Sequence, residues 1–364
     1  MNEMPKWLRG TVPSGRRRSD WGVPSGAVSG SALSAVHIHP SFDALYYSFY
    51  LYGLLKVLKG AGIHYTTEGF PQGSHHCLLV RMPEPGPLRL CIDATDGPKV
   101  EEALMGWCDV YAKINVDPGS KWAGANGKLM CIGPSFGIRV FGAAQTLLHA
   151  AATLRYFRTI RQKREHLATY FRQWAYRLPE PEYQPAVSRA DYVFFTGSLW
   201  KREQETNRHR ASFICACKSL TQVAFEGGFA PRERKDVPGF EDITVQRRYS
   251  FREYVSRIKL SAVAFNTPAV LSCHGWKLGE FLALGKAIVS TPLVRALPAP
   301  LVHGEHLHLV DGSEASIREA VERIIGDAAY RRKLERNARQ YYEQFLSPEV
   351  VVTRLRKGVG EPRL

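Results

Sequence analysis

The stretch SCHGWKLGEFLALGKAIVSTPL, residues 272 to 293, leads from a polar entrance into an apolar segment. Apolar residues recur at helical spacing from Trp276 to Leu284, which predicts an amphipathic helix, and Gly285 stands where a left-handed residue would end that helix. The run from Ala287 to Thr291 predicts a buried strand. A buried strand directly after a helix favours a layered α/β fold. The core does not explain the polar residues from Cys273 to Glu280, which therefore suggest a binding site.

Runs that predict strands and helices alternate on both sides of this stretch. In the first half, strands are predicted over 31–40, 63–69, 75–82 and 88–96, with helices over 42–62 and 99–115 and one long helical region over 141–177. In the second half, strands are predicted over 192–198, 243–248 and 261–267, with helices over 207–220, 250–260, 313–325 and 328–345. This alternation predicts an α/β protein with two Rossmann-like, doubly wound domains.

The length of 364 residues also favours two domains, because a single core of that size is uncommon. Residues 178–187 contain three prolines and are predicted to link the domains. The predicted segments are a disordered basic head rich in Gly, Ser and Pro at 1–30, a first domain at 31–180, a second domain at 188–345, and a tail at 346–364 that packs back or is disordered.

The formal net charge of +15 comes from 49 Lys and Arg residues against 34 Asp and Glu residues, and it points to an anionic partner. Nucleic acid, a membrane surface and a phosphorylated ligand all fit that description. Seven Arg and Lys residues and a single Glu lie within 154–177, among Tyr, Phe and Trp side chains. This segment suits either docking on an anionic membrane surface or a solvated helix that covers the domain.

Cysteine usage and the lack of long apolar runs indicate where the protein acts. The seven cysteines are odd in number and mostly lie in apolar runs, which favours buried free thiols over disulfides. No run approaches about 18 apolar residues, and the start of the chain lacks the apolar centre of a signal peptide. We therefore expect a cytoplasmic protein, with a peripheral position at the membrane left open.

Two cationic elements follow predicted strands, at the edge where open parallel sheets bind ligands. The first follows the strand that ends at Gly197 and Ser198, and its basic residues are Lys201, Arg202, Arg208 and Arg210. The second is the segment 273–277, which leads into a helix whose first-turn amides attract anions. Cationic elements of this kind are suited to binding a diphosphate. Each residue also has a plainer explanation: the arginines could form a solvated face, Glu280 could be a first-turn acid that complements the helix dipole, and His274 could cap the helix.

About 80 residues of the second half carry an ordered set of motifs. They begin in KLGEFLALGKAIVSTPL and continue through LVHGEHLHLVDGSEASIREAVERIIGDAAYRRKLERNARQYYEQFLSPEVV. This order resembles the carboxyl half of GT-B glycosyltransferases of the "glycosyl transferases group 1" type, and earlier elements extend the resemblance to about residues 190–350. The shorter K-L-G-E pattern also resembles exostosin-like relatives. The first half of the chain fits that fold by pattern only.

The resemblance implies that the two Rossmann-like domains face each other across a cleft. It also implies a transferase that uses a nucleoside-diphosphate sugar, with UDP or GDP as leaving group and with neither a separate cofactor nor a metal ion. It implies that Glu280 binds the ribose hydroxyls, and that Lys277 and Arg210 offset the diphosphate charge. With the strand-end residues and the segment before the helix, the candidate donor-binding residues are Gly197, Ser198, Arg210, His274, Gly275, Lys277 and Glu280. Retaining members often carry a second glutamate eight positions earlier, where this chain has Ser272, so the stereochemistry stays open.

An inverting enzyme also needs a base in the first domain that deprotonates the acceptor. His39 follows the first predicted strand with Asp43 nearby, and Asp93 and Asp96 lie at the end of the strand at 88–96. His39, whose ordinary pKa suits a base, and Asp96 are the two catalytic candidates. A turn at His39 and a helix cap at the two aspartates would explain the same residues without catalysis.

The acceptor is expected to be a glycan, a lipid-linked sugar or a protein, in polysaccharide, glycolipid or glycoconjugate biosynthesis. A GT-B-fold epimerase that acts on a nucleotide sugar would share the donor residues and need no acceptor. A basic nucleic-acid-binding protein without catalysis would also explain the charge. The chain has no recognisable nucleic-acid-binding module, and we therefore expect no nucleic acid among its partners.

Overall fold

The computed structural model describes residues 35–73, 75–82, 88–122, 127–234 and 236–358, so the predicted basic head at 1–30 lies outside the described residues. The strands of the first half are β1 (Val36–Ile38), β2 (Ile63–Tyr65), β3 (Leu78–Met82), β4 (Leu88–Asp93), β5 (Val110–Lys113) and β6 (Leu129–Cys131), and its helices are α1 (Ser48–Val57), α2 (Glu102–Trp107), α3 (Ala143–Leu154) and α4 (Lys163–Tyr176). The strands of the second half are β7 (Tyr192–Gly197), β8 (Ala224–Phe229), β9 (Ala264–Asn266), β10 (Ile288–Ser290) and β11 (His308–Leu309), and its helices are α5 (Gln204–Ser219), α6 (Phe251–Leu260), α7 (Trp276–Ala283), α8 (Glu314–Gly326), α9 (Ala328–Tyr341) and α10 (Pro348–Lys357).

The first half forms a six-stranded sheet in the order β2-β1-β3-β4-β5-β6. β1 is parallel to β2, and β4, β5 and β6 are parallel to one another, but β3 runs antiparallel to both of its neighbours. Only residues 83–87 separate β3 from β4, which is too few for the crossover that a parallel pair requires. The predicted α/β layer is therefore confirmed, with one reversed strand. The carboxyl ends of the other five strands share one edge.

Every strand pair that the structure describes in the second half is parallel: β7 with β8, and β10 with β9 and β11. The amide of Ala262, just before β9, donates to the carbonyl of Tyr192 in β7 at 2.8 Å and joins the two groups. The strand order is therefore β8-β7-β9-β10-β11. β8 and β9, the next two strands along the chain, lie on opposite sides of β7. The carboxyl ends of β7 and β9 form the switch point at which such sheets bind ligands.

The opening stretch folds as predicted. α7 begins at Trp276, and Gly285 follows it with a φ of 57°, the left-handed conformation that ends a helix. A Cβ at Gly285 would lie 3.1 Å from the carbonyl oxygen of Glu335, so close packing adds to the preference for glycine. The apolar side chains that α7 and its end bury are Leu278, Phe281, Leu282 and Leu284. β10 then places the β-branched run in the core.

Three predicted elements differ in the structure. Residues 243–248 are predicted to form a strand, but Ile243 ends a 3-10 turn and the segment after it makes an isolated bridge from Thr244 to Phe229, whereas β8 is the strand that pairs with β7. The helix predicted over 99–115 gives way to β5, whose four residues are all buried. The region 141–177 breaks into α3 and α4, which fold back on each other because polar side chains at both ends of α3 bond to α4.

The two halves share an apolar core. α10 returns to the first half and packs on α1, where the carbonyl oxygen of Pro348 lies 2.4 Å from the position that a Cβ on Gly53 would occupy. Tyr183, in the predicted linker, is buried and packs against Phe136 at 4.6 Å between ring centres. The predicted domain bounds stay a prediction, but these contacts fix the halves against each other.

Two observations bear on the compositional expectations. All seven cysteines are free thiols and five of them are buried, which confirms the interpretation of their apolar surroundings. In the described part of the chain, no helix combines the length and the apolar character that a membrane span requires.

Candidate active site

Arg210 lies at the switch point of the second sheet. It projects from α5 and is only 7% exposed. Its Nη1 donates to the carbonyl of Ser198 at 2.9 Å, and its Nε donates to Oγ1 of Thr267 at 3.1 Å. These partners follow β7 and β9, so one guanidinium group spans the switch point. Burial lowers the pKa of Arg210 to about 10, which leaves it charged at neutral pH.

Lys277 projects to the same place from the first turn of α7. Its Nζ donates to the carbonyl of Thr196, at the end of β7, and lies 4.7 Å from the centre of the Phe195 ring. Burial, and after it the charge of Arg210, lower the pKa of Lys277 to about 7. The hydrogen bonds of both cations go to neutral oxygen atoms of the described chain. Within the described residues, therefore, no carboxylate contacts either cation directly.

The loop before α7 is braced from the first half. The amide of His274 donates to Oδ1 of Asn115 at 2.8 Å, and its ring Nε2 donates to the carbonyl of Ala296 at 3.2 Å. Gly275 is the N-cap of α7 and makes no side-chain cap, and a Cβ there would lie 3.3 Å from that of Ala269. The two hydrogen bonds of His274 thus hold the loop in place, and the loop in turn keeps the amino end of α7 beside β7.

Glu280 lies in the second turn of α7, so the interpretation of this residue as a first-turn acid is wrong. It is 3% exposed, and its carboxylate accepts a hydrogen bond from the Tyr254 hydroxyl at 2.9 Å. Burial raises the pKa of Glu280, while the nearby charges of Arg177 and Lys277 oppose that rise. Because this carboxylate is buried, it is not explained as a solvent-exposed acid on the surface of the helix.

Arg177 completes this cluster from the first half, directly after α4. It is 4% exposed, and its guanidinium carbon lies 4.5 Å from the centre of the Phe251 ring and 4.6 Å from that of the Trp276 ring. Both rings belong to the second half. Sequence reasoning counted Arg177 in the basic segment 154–177 and missed this role, for which no local pattern gives a signal.

Two residues of the loop before α7 have a strained backbone. Leu271 and Ser272 have φ values of 56° and 59°, which are uncommon for residues other than glycine. The amide of Leu271 donates to Oε1 of Glu203 at 3.2 Å, and its carbonyl accepts from Nη2 of Arg295 at 2.7 Å. Arg295 also pairs with Asp117 of the first half. Strain that the surroundings hold in place is typical of ligand-binding loops.

Asp96 meets this loop from the first half. It follows β4 at the carboxyl edge of its sheet, is half-buried, and accepts a hydrogen bond from Sγ of Cys273 at 3.7 Å. Burial raises the pKa of Asp96, and the Cys273 thiol and the charge of Lys113 oppose that rise. The structure thus brings this predicted catalytic candidate next to the entrance of α7.

His39 lies at the carboxyl end of β1 and is 2% exposed. Its Nδ1 faces the Ser41 hydroxyl at 2.8 Å and accepts weakly from the Ser41 amide at 3.4 Å, which places the proton of the neutral ring on Nε2. That Nε2 is buried and has no hydrogen-bond partner within the described residues. Burial, with a smaller effect of His75, lowers the pKa of His39 to about 4. The ring is therefore neutral, and its Nε2 is a donor.

Two other carboxylates named from the sequence have structural partners. Asp93 accepts hydrogen bonds from the amide and hydroxyl of Thr95 at 2.9 and 2.6 Å, from the Tyr111 hydroxyl at 2.8 Å and from Lys113 Nζ at 2.7 Å. Asp43 accepts from two backbone amides at 2.8 Å, just before α1, and burial raises its pKa to about 6. The bonds of Asp93 leave it no lone pair for a base.

The remaining basic residues of the α5 region face solvent. Lys201, Arg202 and Arg208 are exposed, and Arg208 approaches Glu205 at 3.8 Å. A solvated face therefore explains these three, and Arg210 alone enters the site. Within the described ranges, no group of three or more His, Cys, Asp or Glu side chains is placed to hold a metal ion.

Comparison with known proteins gives matches among solved structures only. No protein-family model and no curated protein matches the chain. The C-terminal domain of a glycosyl transferase group 1 family protein, LpcC, from Francisella tularensis matches at 15% identity and a TM-score of 0.33, over 45% of this chain and 96% of that one. Sucrose-phosphate synthase from Thermosynechococcus elongatus matches at 13% identity and a TM-score of 0.40, over 72% of this chain and 62% of that one. HepE from Anabaena, solved with UDP, matches at 11% identity and a TM-score of 0.40, over 68% and 71%.

Proposed function

We propose that the protein is a glycosyltransferase that moves a sugar from a UDP-sugar or GDP-sugar to a hydroxyl group of an acceptor. One observation carries the proposal: Lys277 and Arg210 meet at the switch point of the second sheet, and their hydrogen bonds go to neutral oxygens. Two buried cations that no carboxylate of the described residues contacts favour an anionic ligand. A diphosphate supplies that charge, and we assign Glu280, one turn further along α7, to the ribose hydroxyls.

Transfer breaks the bond between the anomeric carbon and a diphosphate oxygen, so negative charge grows on the leaving group. Lys277 and Arg210 stabilise that charge, and the amino end of α7 adds the dipole of its amides. Gly197 and Ser198 provide the backbone beneath the diphosphate, and His274 and Gly275 hold the amino end of α7 in place. With these charges present the reaction needs no metal ion, and turnover should continue in EDTA.

Asp96 is the proposed base for the acceptor hydroxyl. Its raised pKa makes it a stronger base than an exposed carboxylate, and its contact with Cys273 puts it beside the donor loop. His39 is the second candidate, but its Nδ1 is engaged by Ser41 and its Nε2 carries the proton.

The acceptor hydroxyl belongs to a glycan, a lipid-linked sugar or a protein, in polysaccharide, glycolipid or glycoconjugate biosynthesis.

Thermal-shift measurements with a nucleotide panel test the donor site. UDP or GDP should raise the melting temperature, because a ligand that binds only the folded state stabilises it by mass action. Lys277→Ala and Glu280→Ala should each remove the shift, whereas Lys218→Ala, which removes an exposed lysine of the same half, should keep it. A full shift in both site variants would show that the nucleotide binds elsewhere.

The binding of UDP should weaken as the pH rises from about 7 to about 9. Lys277 has a pKa of about 7 in the unliganded protein, and a diphosphate favours its charged form, so binding takes up a proton above that pH. One proton corresponds to at most about a tenfold loss of affinity per pH unit. Isothermal titration measures the profile, and Lys277→Arg, which stays charged, should flatten it. An equally steep profile in that variant would contradict the assignment.

A further inference from the structure

The helix α3 has its apolar side outward. Its exposed positions after the first turn are all apolar; together with Ala144 they form the set that we call the α3 outer face: Ala144, Leu147, Leu148, Ala151 and Leu154. The other exposed residues of α3 are Ala143 and Gln145, in its first turn. Leu147 is 72% exposed and Leu148 is 68% exposed, the largest values for a leucine in the described chain, and Leu154 is 43% exposed. These positions recur every three to four residues and so form one continuous stripe along the helix. A helix that only covers a domain in water would present the opposite side.

The inward side of α3 is polar and its groups are satisfied. Thr146 accepts a hydrogen bond from Nε2 of Gln173 at 3.0 Å, and Thr153 bonds to the ring of His166 at 3.0 Å. His149 stacks on Phe141, with ring centres 4.2 Å apart. α3 is therefore anchored by specific bonds to α4, and rotation of the helix to bury its leucines would break them. The outward leucines belong to the folded state.

The residues after the α3 outer face are strongly basic. From 143 to 164 the chain contains no Asp or Glu, and its cations are Arg155, Arg158, Arg161, Lys163 and Arg164, all exposed. We call residues 155–164 the basic turn. An apolar stripe next to a cluster of cations without acidic neighbours in sequence complements a surface that carries anionic groups where it meets water and is apolar beneath them.

The α3 outer face lies at the edge of the sheet that carries the proposed acceptor side. The Tyr156 hydroxyl donates to the carbonyl of Tyr65 at 2.7 Å, and His149 Nδ1 lies 3.1 Å from the Tyr65 hydroxyl. Tyr65 is the last residue of β2, whose carboxyl end shares an edge with those of β1 and β4. α3 and the basic turn are thus held at the edge where His39 and Asp96 also lie.

We propose that the α3 outer face and the basic turn dock this protein on an anionic phospholipid bilayer. The leucines enter the boundary between headgroups and acyl chains, and the basic turn contacts the anionic headgroups. The hypothesis drawn from the sequence placed this contact over 154–177; the structure moves its apolar part to α3 and leaves the charges at 155–164. Docking needs no nucleotide and so does not rest on the proposed enzymatic activity.

Vesicle flotation with the full-length chain tests the proposal. Wild-type protein should float with phosphatidylcholine vesicles that contain phosphatidylglycerol, and much less with phosphatidylcholine alone, and high salt should weaken the binding. Leu147→Ser combined with Leu148→Ser should lower the partition coefficient by at least about tenfold. Arg158→Gln combined with Arg161→Gln should lower it by roughly fivefold per charge.

Matched controls separate these effects from general changes of the surface. Val187→Ser with Leu260→Ser removes two exposed apolar side chains that are not part of the α3 outer face, and Arg332→Gln with Arg336→Gln removes two exposed arginines of α9. Both double variants should bind as wild type. Equal binding to both vesicle types, or wild-type binding by the leucine variant, would overturn the proposal. So would a dimer that dissociates in the leucine variant without vesicle binding, since the face would then contact a second copy. A nucleotide thermal shift measured on the same samples reports on the donor site separately.

Discussion

Asp96→Asn should lower the rate of sugar transfer by about 10²- to 10⁴-fold, the usual contribution of a general base, while the thermal shift with UDP stays as in wild type. The substitution removes the basic oxygen but keeps Oδ1, which can still accept from Cys273. The loop before α7 should therefore keep its position and the donor should still bind. Release of nucleoside diphosphate in the presence of an acceptor measures the rate.

Three comparisons make the Asp96 result specific. Asp109→Asn, which removes the carboxylate of an exposed ion pair with Arg89, should leave the rate unchanged. His39→Gln should change the rate much less than Asp96→Asn, because a neutral ring with its proton on a buried Nε2 is a poor base. If His39→Gln abolishes transfer and Asp96→Asn does not, the base is His39 and the proposed assignment is wrong.

Asp96 also sets an expectation for pH. Burial raises its pKa, so its basic form is lost at a higher pH than for an exposed aspartate as the solution is acidified. The rate should therefore fall on the acid side of its profile at a higher pH than an exposed aspartate would give. In Asp96→Asn the residual rate should not show that fall.

The parts of the fold that could be predicted are those in which local signals agree. The α7 segment has helical spacing, a glycine at its left-handed end and a β-branched run after it, and the structure follows all three. The predicted helix at 250–260 begins with Ser250, which caps α6 together with Glu253 in a reciprocal pair of hydrogen bonds. In both places the residues that fix the ends lie within a few positions of the helix.

Prediction failed where distant contacts decide the structure. β8 has the sequence AFEGGF, and two glycines disfavour a strand, yet a Cβ at Gly227 would lie 1.8 Å from the carbonyl oxygen of Phe195. Glycine is needed there because β7 passes so close, which the local sequence cannot indicate. The position of Arg177 in the site could not be predicted for the same reason, because its partners Phe251 and Trp276 come from two separate segments of the other half.

Arg177→Met should lower the free energy of unfolding by about 3 to 5 kcal/mol, because it removes the positive charge that most lowers the pKa of the buried Glu280 carboxylate. The loss also removes the cation that stacks between Phe251 and Trp276 and so joins the two halves. Urea denaturation of the full-length chain measures the change. Arg172→Met, on α4, breaks a partly exposed pair with Glu165 and should cost about 1 kcal/mol or less.

A double-mutant cycle identifies the cause of the Arg177 effect. Arg177→Met combined with Glu280→Gln should be less unstable than the sum of the single variants, because the second change removes the carboxylate that the first leaves unpaired. In Arg177→Met alone, the pKa of Glu280 should rise further above that of an unfolded glutamate, so the folded state binds more protons and stability should increase as the pH falls through that raised value. Additive losses and no such recovery at low pH would mean that ring stacking, and not the charge of Glu280, accounts for the stability that Arg177 provides.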